Sequence, residues 1–267
     1  MPTCVNVRSD DEALVSKRRE VAERVIAEFP AQLLVNANLL CFFDSADCQT
    51  LRSEFGKANR GVFAPVERET FCAPPWPHYV FEMVFVDDFP ASLEWRQIFH
   101  QLIYLHGSTC VTNVGLTMTF AHELQHCIQY LRERKLWTTN TTVTRFFPRE
   151  VLTLAGVKVF HIPIELEARM SSKRIAQKMW GVRAVDEYIQ TRIKESSTEA
   201  DLEDWQFVRD LDHSSSCELA TDTIKLFKRL TPYKAQINRT LEELCSDSRF
   251  DNLDFGELPF ASTFTSE

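Results

Sequence analysis

Apolar residues recur at intervals of three and four along most of this chain, and the segments where they do so predict helices. Leu14, Val21, Val25 and Ile26 line one side of a segment from Asp10 to Phe29, which must stop before Pro30. Leu116, Phe120, Leu124, Cys127, Ile128 and Leu131 form the next stripe, within Thr112 to Leu136. That segment has no proline, and its only glycine, Gly115, stands near its start. Arg132, Arg134 and Lys135 crowd its last turn, where cations complement the carbonyl end of a helix dipole, so the helix is expected to end near Leu136. Leu93 to Leu105 reads as another helix. Pro163 to Trp180 follows, with Leu166, Met170, Ile175 and Met179 among its apolar positions and Pro163 suited to a first turn. Beyond Gly181 the chain is charged and periodic over Val185 to Lys194, Glu199 to Leu211, Cys217 to Leu230 and Pro232 to Leu244.

Strand signals are fewer. Leu39 to Phe43 and Val80 to Val86 are rich in aromatic and branched residues, with a helical pattern over Ala46 to Lys57 between them. Trp137 to Phe160, with its hydroxyl-rich run Thr138 to Thr144, is expected to form an extended loop or hairpin. The expected fold class is therefore α+β and mostly helical, with a small mixed sheet packed on the helix Thr112 to Leu136 and a helical C-terminal half. Residues 1–181 form the expected core, and residues 182–267 complete the same domain or form a helical appendage.

Composition sharpens this picture. With 267 residues and 44% hydrophobic content the chain can bury a sizeable core, and only 7 glycines disfavour a turn-rich all-β architecture. The formal net charge of −8 argues against nucleic acid as a partner, because phosphate neutralisation needs clustered Lys and Arg. Lys17-Arg18-Arg19 and Arg132-Glu133-Arg134-Lys135 have acidic neighbours and read as solvated faces. Met1 to Glu20 lacks the apolar core of a signal peptide, and no stretch approaches the roughly 20 apolar residues of a membrane span. A soluble, cytoplasmic protein without membrane contact is expected. The 8 cysteines are scattered without a C-x-x-C pair, so they are expected to be reduced, and Cys127 to lie in the core. Cys72 lies in a proline-rich loop, Phe71 to His78. Asn140-Thr141-Thr142 and Asn238-Arg239-Thr240 match the glycosylation pattern, with no secretion signal to make use of them.

The candidate chemistry sits in His122-Glu123-Leu124-Gln125-His126. On a helix of 3.6 residues per turn His122 and His126 stack on one face, where two imidazoles can grip a zinc ion. Glu123 lies beside them, placed to accept a proton from a water on that ion. A catalytic zinc needs a third protein ligand and leaves a position for water. Glu165 and Glu167, in the first turn of the later helix, and His161 just before it, are the candidates. Glu165 and Glu167 cannot both face the ion, because residues two apart point in different directions.

Ala121-His122-Glu123-Leu124-Gln125-His126, with the later Glu165-Leu166-Glu167-Ala168, resembles the zincin metallopeptidases, and more narrowly the gluzincin arrangement, over roughly residues 80 to 180. The resemblance implies a small single-domain zincin fold in which His122, His126 and Glu165 hold Zn2+ and Glu123 is the general base. In the thermolysin-like pattern the ligand glutamate is followed four residues later by an acid that supports a ligand histidine. Here that position is Arg169, and after Glu167 it would be Ser171.

The expected activity is zinc-dependent peptide-bond hydrolysis: a zinc-activated water attacks the carbonyl, and Glu123 takes its proton and passes it to the leaving amine. The expected partner is a peptide or protein substrate, lying along a sheet edge for which Val80 to Val86 is the candidate. A donor for the developing oxyanion is open among His161, His213, Tyr130 and Arg169. Two other readings use the same residues: a zincin-like regulatory or interaction protein that binds metal without turnover, and a metal-dependent hydrolase of a non-peptide substrate.

Overall fold

The structure, a computed structural model, describes residues 3–7, 11–43, 61–65, 101–212 and 214–245. Helix α1 (Glu12–Glu28) opens where the Asp11 carboxylate accepts from the amides of Ala13 and Leu14 at 3.0 and 3.1 Å. It closes at Phe29, whose extended ψ of 143° is what a following proline demands.

A four-stranded mixed sheet lies beside it, formed by β1 (Thr3–Val7), β2 (Leu39–Phe43), β3 (Gly61–Pro65) and β4 (Gln101–Leu105) in the order β1-β2-β4-β3. The β1-β2 and β2-β4 pairs are parallel, and β3 runs antiparallel to β4 with Gly61 opposite Leu105. Among the described residues β3 is therefore an edge.

The expected strand at Leu39 to Phe43 is present, but the C-terminal end of the expected helix Leu93 to Leu105 is strand β4. All five β4 residues are buried. A strand covered on both faces carries a continuous apolar run, which periodicity cannot separate from a buried helix. The strands β1 and β3 were not signalled at all. The expectations for Ala46 to Lys57, Val80 to Val86, the Cys72 loop and His213 lie outside the described residues.

Helix α2 (Asn113–Arg132) carries the His-Glu motif. Thr112 caps it by accepting from the Gly115 amide at 3.0 Å. Its stripe is sealed: Leu116, Phe120, Leu124, Cys127 and Ile128 are at most 1% exposed, and each such large side chain contributes about 1.5–3 kcal/mol by burial. α2 packs on β3 and β4 on one side and on α1 on another.

It ends earlier than expected, because Glu133, at φ −142° and ψ 59°, breaks the helix before Leu136. Helix α3 (Arg134–Phe146) then takes up the hydroxyl-rich run that was expected to be a loop or hairpin. Thr139, Asn140, Thr141 and Thr142 are buried there. Part of this polarity is met by hydrogen bonds: Thr142 and Thr144 donate to the carbonyls of Thr138 and Asn140, and Asn140 donates to Leu136 O and to Thr223, while Thr139 Oγ1 and Asn140 Oδ1 are buried without a hydrogen-bond partner among the described residues. The sequon at Asn140 is thus inside a packed helix. The short helix α4 (Arg149–Leu154) follows.

Helix α5 (Pro163–Trp180) has the expected bounds, with Pro163 in its first turn, and packs along α2 more extensively than any other described pair of helices. It ends at Gly181, whose φ of 85° is a left-handed conformation that favours glycine. Four more helices follow, α6 (Val182–Glu195), α7 (Glu199–Asp210), α8 (Leu219–Leu230) and α9 (Lys234–Cys245). Met118, Ala176, Val185, Ile189, Trp205 and Val208 pack α6 and α7 against the back of α2 and α5. Leu219, Leu226, Phe227, Leu230 and Ile237 of α8 and α9 join the same core as the sheet. The protein is α+β and mostly helical, with a small mixed sheet on the motif helix. No described helix is long and apolar enough to cross a membrane.

Candidate metal centre

The α2-α5 contact brings together three donor groups that lie far apart in the chain. His122 and His126 stack on one face of α2, with their Nε2 atoms 3.1 Å apart and their rings at 88°. Glu165, in the first turn of α5, presents Oε2 to His122 Nε2 and Oε1 to His126 Nε2, each at 3.5 Å. All the donor atoms lie within 4.8 Å of one another. Two nitrogens and a carboxylate at such spacing form a group that could hold a metal ion.

Gln129, one turn beyond His126, decides which face of that imidazole is available. Both amide hydrogens of Gln129 are used, in bonds to Ile164 O and Glu167 Oε2, each 2.9 Å. Its oxygen must therefore accept from His126 Nδ1, at 2.8 Å. His126 then carries its hydrogen on Nδ1 and turns the Nε2 lone pair to the cluster. Burial, only partly offset by Glu165, lowers the His126 pKa to about 4, so the ring is neutral at pH 7. Burial also works against the charge of Glu165. Arg169 beside it, and then the two imidazoles, outweigh that and hold its carboxyl well below the usual range. A neutral imidazole and an anionic carboxylate are the protonation states a metal requires.

The three candidates for a third ligand are thereby separated. Glu165 faces the imidazoles. Glu167 stands one layer back, bonded to Gln129 and 3.5 Å from Arg132. His161 lies elsewhere, edge-on to Phe160 and Phe207. Arg169, where the thermolysin-like pattern has an acid, donates through Nη1 to Glu165 Oε2 at 2.5 Å and through Nε to Asp204 Oδ1 at 2.8 Å. Of the other oxyanion candidates, Tyr130 is buried edge-on against Trp137. Cys127 is fully buried in the core, where burial pushes its thiol up. Cys217 donates to Pro163 O at 3.4 Å at the start of α5, and burial, then Glu167 and Asp222, push its thiol up to about 12.

Glu123 is 7% exposed and lies against β3, where a Cβ on residue 61 would sit 2.9 Å from both its Cγ and its Oε1. Gly61 is the residue that lets this carboxylate lie flat on the strand. Neither Gly61 nor Gln129 stood out in the sequence. Gln129 had a signal, since it is three residues past His126 on the same helix face, but Gly61 had none. Comparisons of the chain with protein-family models, with curated proteins and with solved structures return no match.

Proposed function

We propose that the protein is a zinc-dependent peptide hydrolase, with His122, His126 and Glu165 as metal ligands and Glu123 as general base. One observation carries this reading. Ligands about 2.0–2.1 Å from a tetrahedral zinc lie roughly 3.3 Å from each other; the two imidazole nitrogens are 3.1 Å apart, each has one oxygen of Glu165 at 3.5 Å, and one donor atom from each residue falls within 4.8 Å of the others, a spacing that small adjustments bring to that value.

A zinc ion in such a site brings the pKa of a bound water to about 7 and polarises a carbonyl. The side chains do the rest. Gln129 and Glu167 fix the tautomer and the angle of His126. Arg169 keeps Glu165 ionised against its burial. Glu123, buried beside Gly61, takes the proton from the attacking water and returns it to the leaving amine. Cys127 and Cys217 are free thiols, which suits a reducing compartment such as the cytoplasm.

A second reading has one observation in its favour. The guanidinium of Arg169 already neutralises Glu165, so the centre is compatible with a protein that holds metal for structure or recognition without turnover. Purified protein is expected to contain near one equivalent of zinc and to cleave members of a broad peptide library. Glu123→Gln is expected to keep the zinc and lose cleavage, and His126→Ala to lose both. Zinc without cleavage in the wild type supports the second reading, and a wild type that takes up no divalent metal overturns both.

A further inference from the structure

The geometry points to Arg169 as a positioning residue that withholds one oxygen of Glu165 from a bound cation, with Asp204 holding it from behind. The inference rests on the metal reading and concerns how the carboxylate is presented. Arg169 follows Glu165 by one turn of α5, and its Nη1 engages both the carboxylate Oε2 at 2.5 Å and the Glu165 carbonyl at 3.2 Å. The same side chain is only 12% exposed, and its Nε is tied to Asp204 Oδ1 of α7 at 2.8 Å. A guanidinium gripped at both ends has little freedom to swing away.

The consequence falls on one oxygen. Oε2 is shared with a strong, charged donor, so Oε1, 3.5 Å from His126 Nε2, is the better electron donor left to a cation. A carboxylate that meets a metal through one oxygen, with its charge partly drawn toward an arginine, neutralises the metal less and keeps its coordination number low. Both effects favour a Lewis acid with room for water and substrate. The departure at position 169 also explains the role of Gln129 and Glu167. They orient His126 from α2 and α5, which frees the position after the ligand glutamate to carry the opposite charge. The chain from Glu165 through Arg169 to Asp204 further ties α7, a helix outside the motif, to the centre.

The test uses the full chain loaded with cobalt(II), whose visible bands weaken as ligands are added, together with zinc affinity by chelator competition. Arg169→Met is expected to bind zinc about tenfold tighter, the scale on which groups behind a ligand act, with weakened and shifted cobalt bands as the second oxygen enters. Arg169→Lys, which keeps the charge and a donor but cannot bridge Glu165 and Asp204 as the guanidinium does, is expected to lie between wild type and Arg169→Met. Asp204→Asn, which only loosens the anchor, is expected to fall between, and it carries the same readout if Arg169→Met does not fold. Unchanged cobalt bands with equal or weaker zinc binding in folded variants overturn the inference and leave Arg169 a structural residue. A wild type that takes up no cobalt overturns the metal reading itself, which is a distinct result.

Discussion

If Glu123 is the general base proposed above, replacing Gly61 with alanine is expected to abolish cleavage while leaving zinc binding intact. The new Cβ would stand 2.9 Å from Glu123 Cγ and Oε1 and from Leu105 Cδ2. Carbon contacts settle at about 3.5–4.0 Å, so roughly 0.6–1 Å has to be found. Leu105 is fully buried in the sheet and paired across from residue 61, so the Glu123 carboxylate is the group that moves. Displacing a proton acceptor by about 1 Å costs on the order of 100-fold in rate.

Stability responds less. Overpacking costs about 1–3 kcal/mol, and since Gly61 is not among the positive-φ glycines, the loss of chain entropy in the unfolded state returns about 0.4–1 kcal/mol. A net loss of about 1–2 kcal/mol lowers Tm by roughly 2–8 °C. The assay pairs zinc content with cleavage of a peptide that wild type cuts and Glu123→Gln does not, and thermal unfolding monitors the fold. Wild-type activity in folded Gly61→Ala refutes the placement of Glu123. So does loss of zinc along with activity, because His122, His126 and Glu165 should not feel the methyl group.

Two further outcomes follow from the same centre. Gln129→Leu removes the acceptor that holds the His126 hydrogen on Nδ1, and zinc affinity is expected to fall about 10- to 100-fold; an unchanged chelator titration would remove Gln129 from the site. In the metal-free protein, His126 takes up its proton near pH 6.5 when unfolded but only near pH 4 when native. The unfolded state binds the extra proton in that interval, so stability is expected to decline as pH falls from 6.5 to 4, by about 3 kcal/mol from this residue. Urea midpoints across that range, with His126→Gln for comparison, check it, and an equally steep decline in the variant would show the cause to lie elsewhere. Glu165, held ionised by Arg169, adds its own loss at still lower pH.

The helices of the second half were legible because each has a one-sided apolar stripe and punctuation at its ends. Pro163 and Gly181 mark α5 at its observed limits, and the later helices lie within a few residues of their expected bounds. The sheet was less legible. β4 is apolar on both faces and lost its period. β1 and β3 are five-residue segments whose strand character comes from pairing with distant neighbours. The Thr138 to Thr144 run looked like a surface loop because its hydroxyls are polar. In the helix Thr142 and Thr144 turn back onto carbonyls one turn earlier, and Asn140 reaches Leu136 O and Thr223, which lets much of the run be buried.

For the centre, local sequence determined one half. A four-residue interval on a helix stacks His122 and His126 on one face whatever the rest of the molecule does, and it puts Glu123 next to them. Which acid would join them was decided only by the packing of α5 on α2, since the interval from His126 to the later helix contains α3, α4 and the breaks between them, whose directions no local rule encodes. That packing turned Glu165 toward the imidazoles and Glu167 toward Gln129. It also set Arg169 between Glu165 and an α7 carboxylate, while the packing of β3 on α2 brought Gly61 of the edge strand against Glu123. Helix periodicity is a property of the backbone within a few residues. The orientation of one helix against another depends on every side chain in the interface, and so only the folded chain decides it.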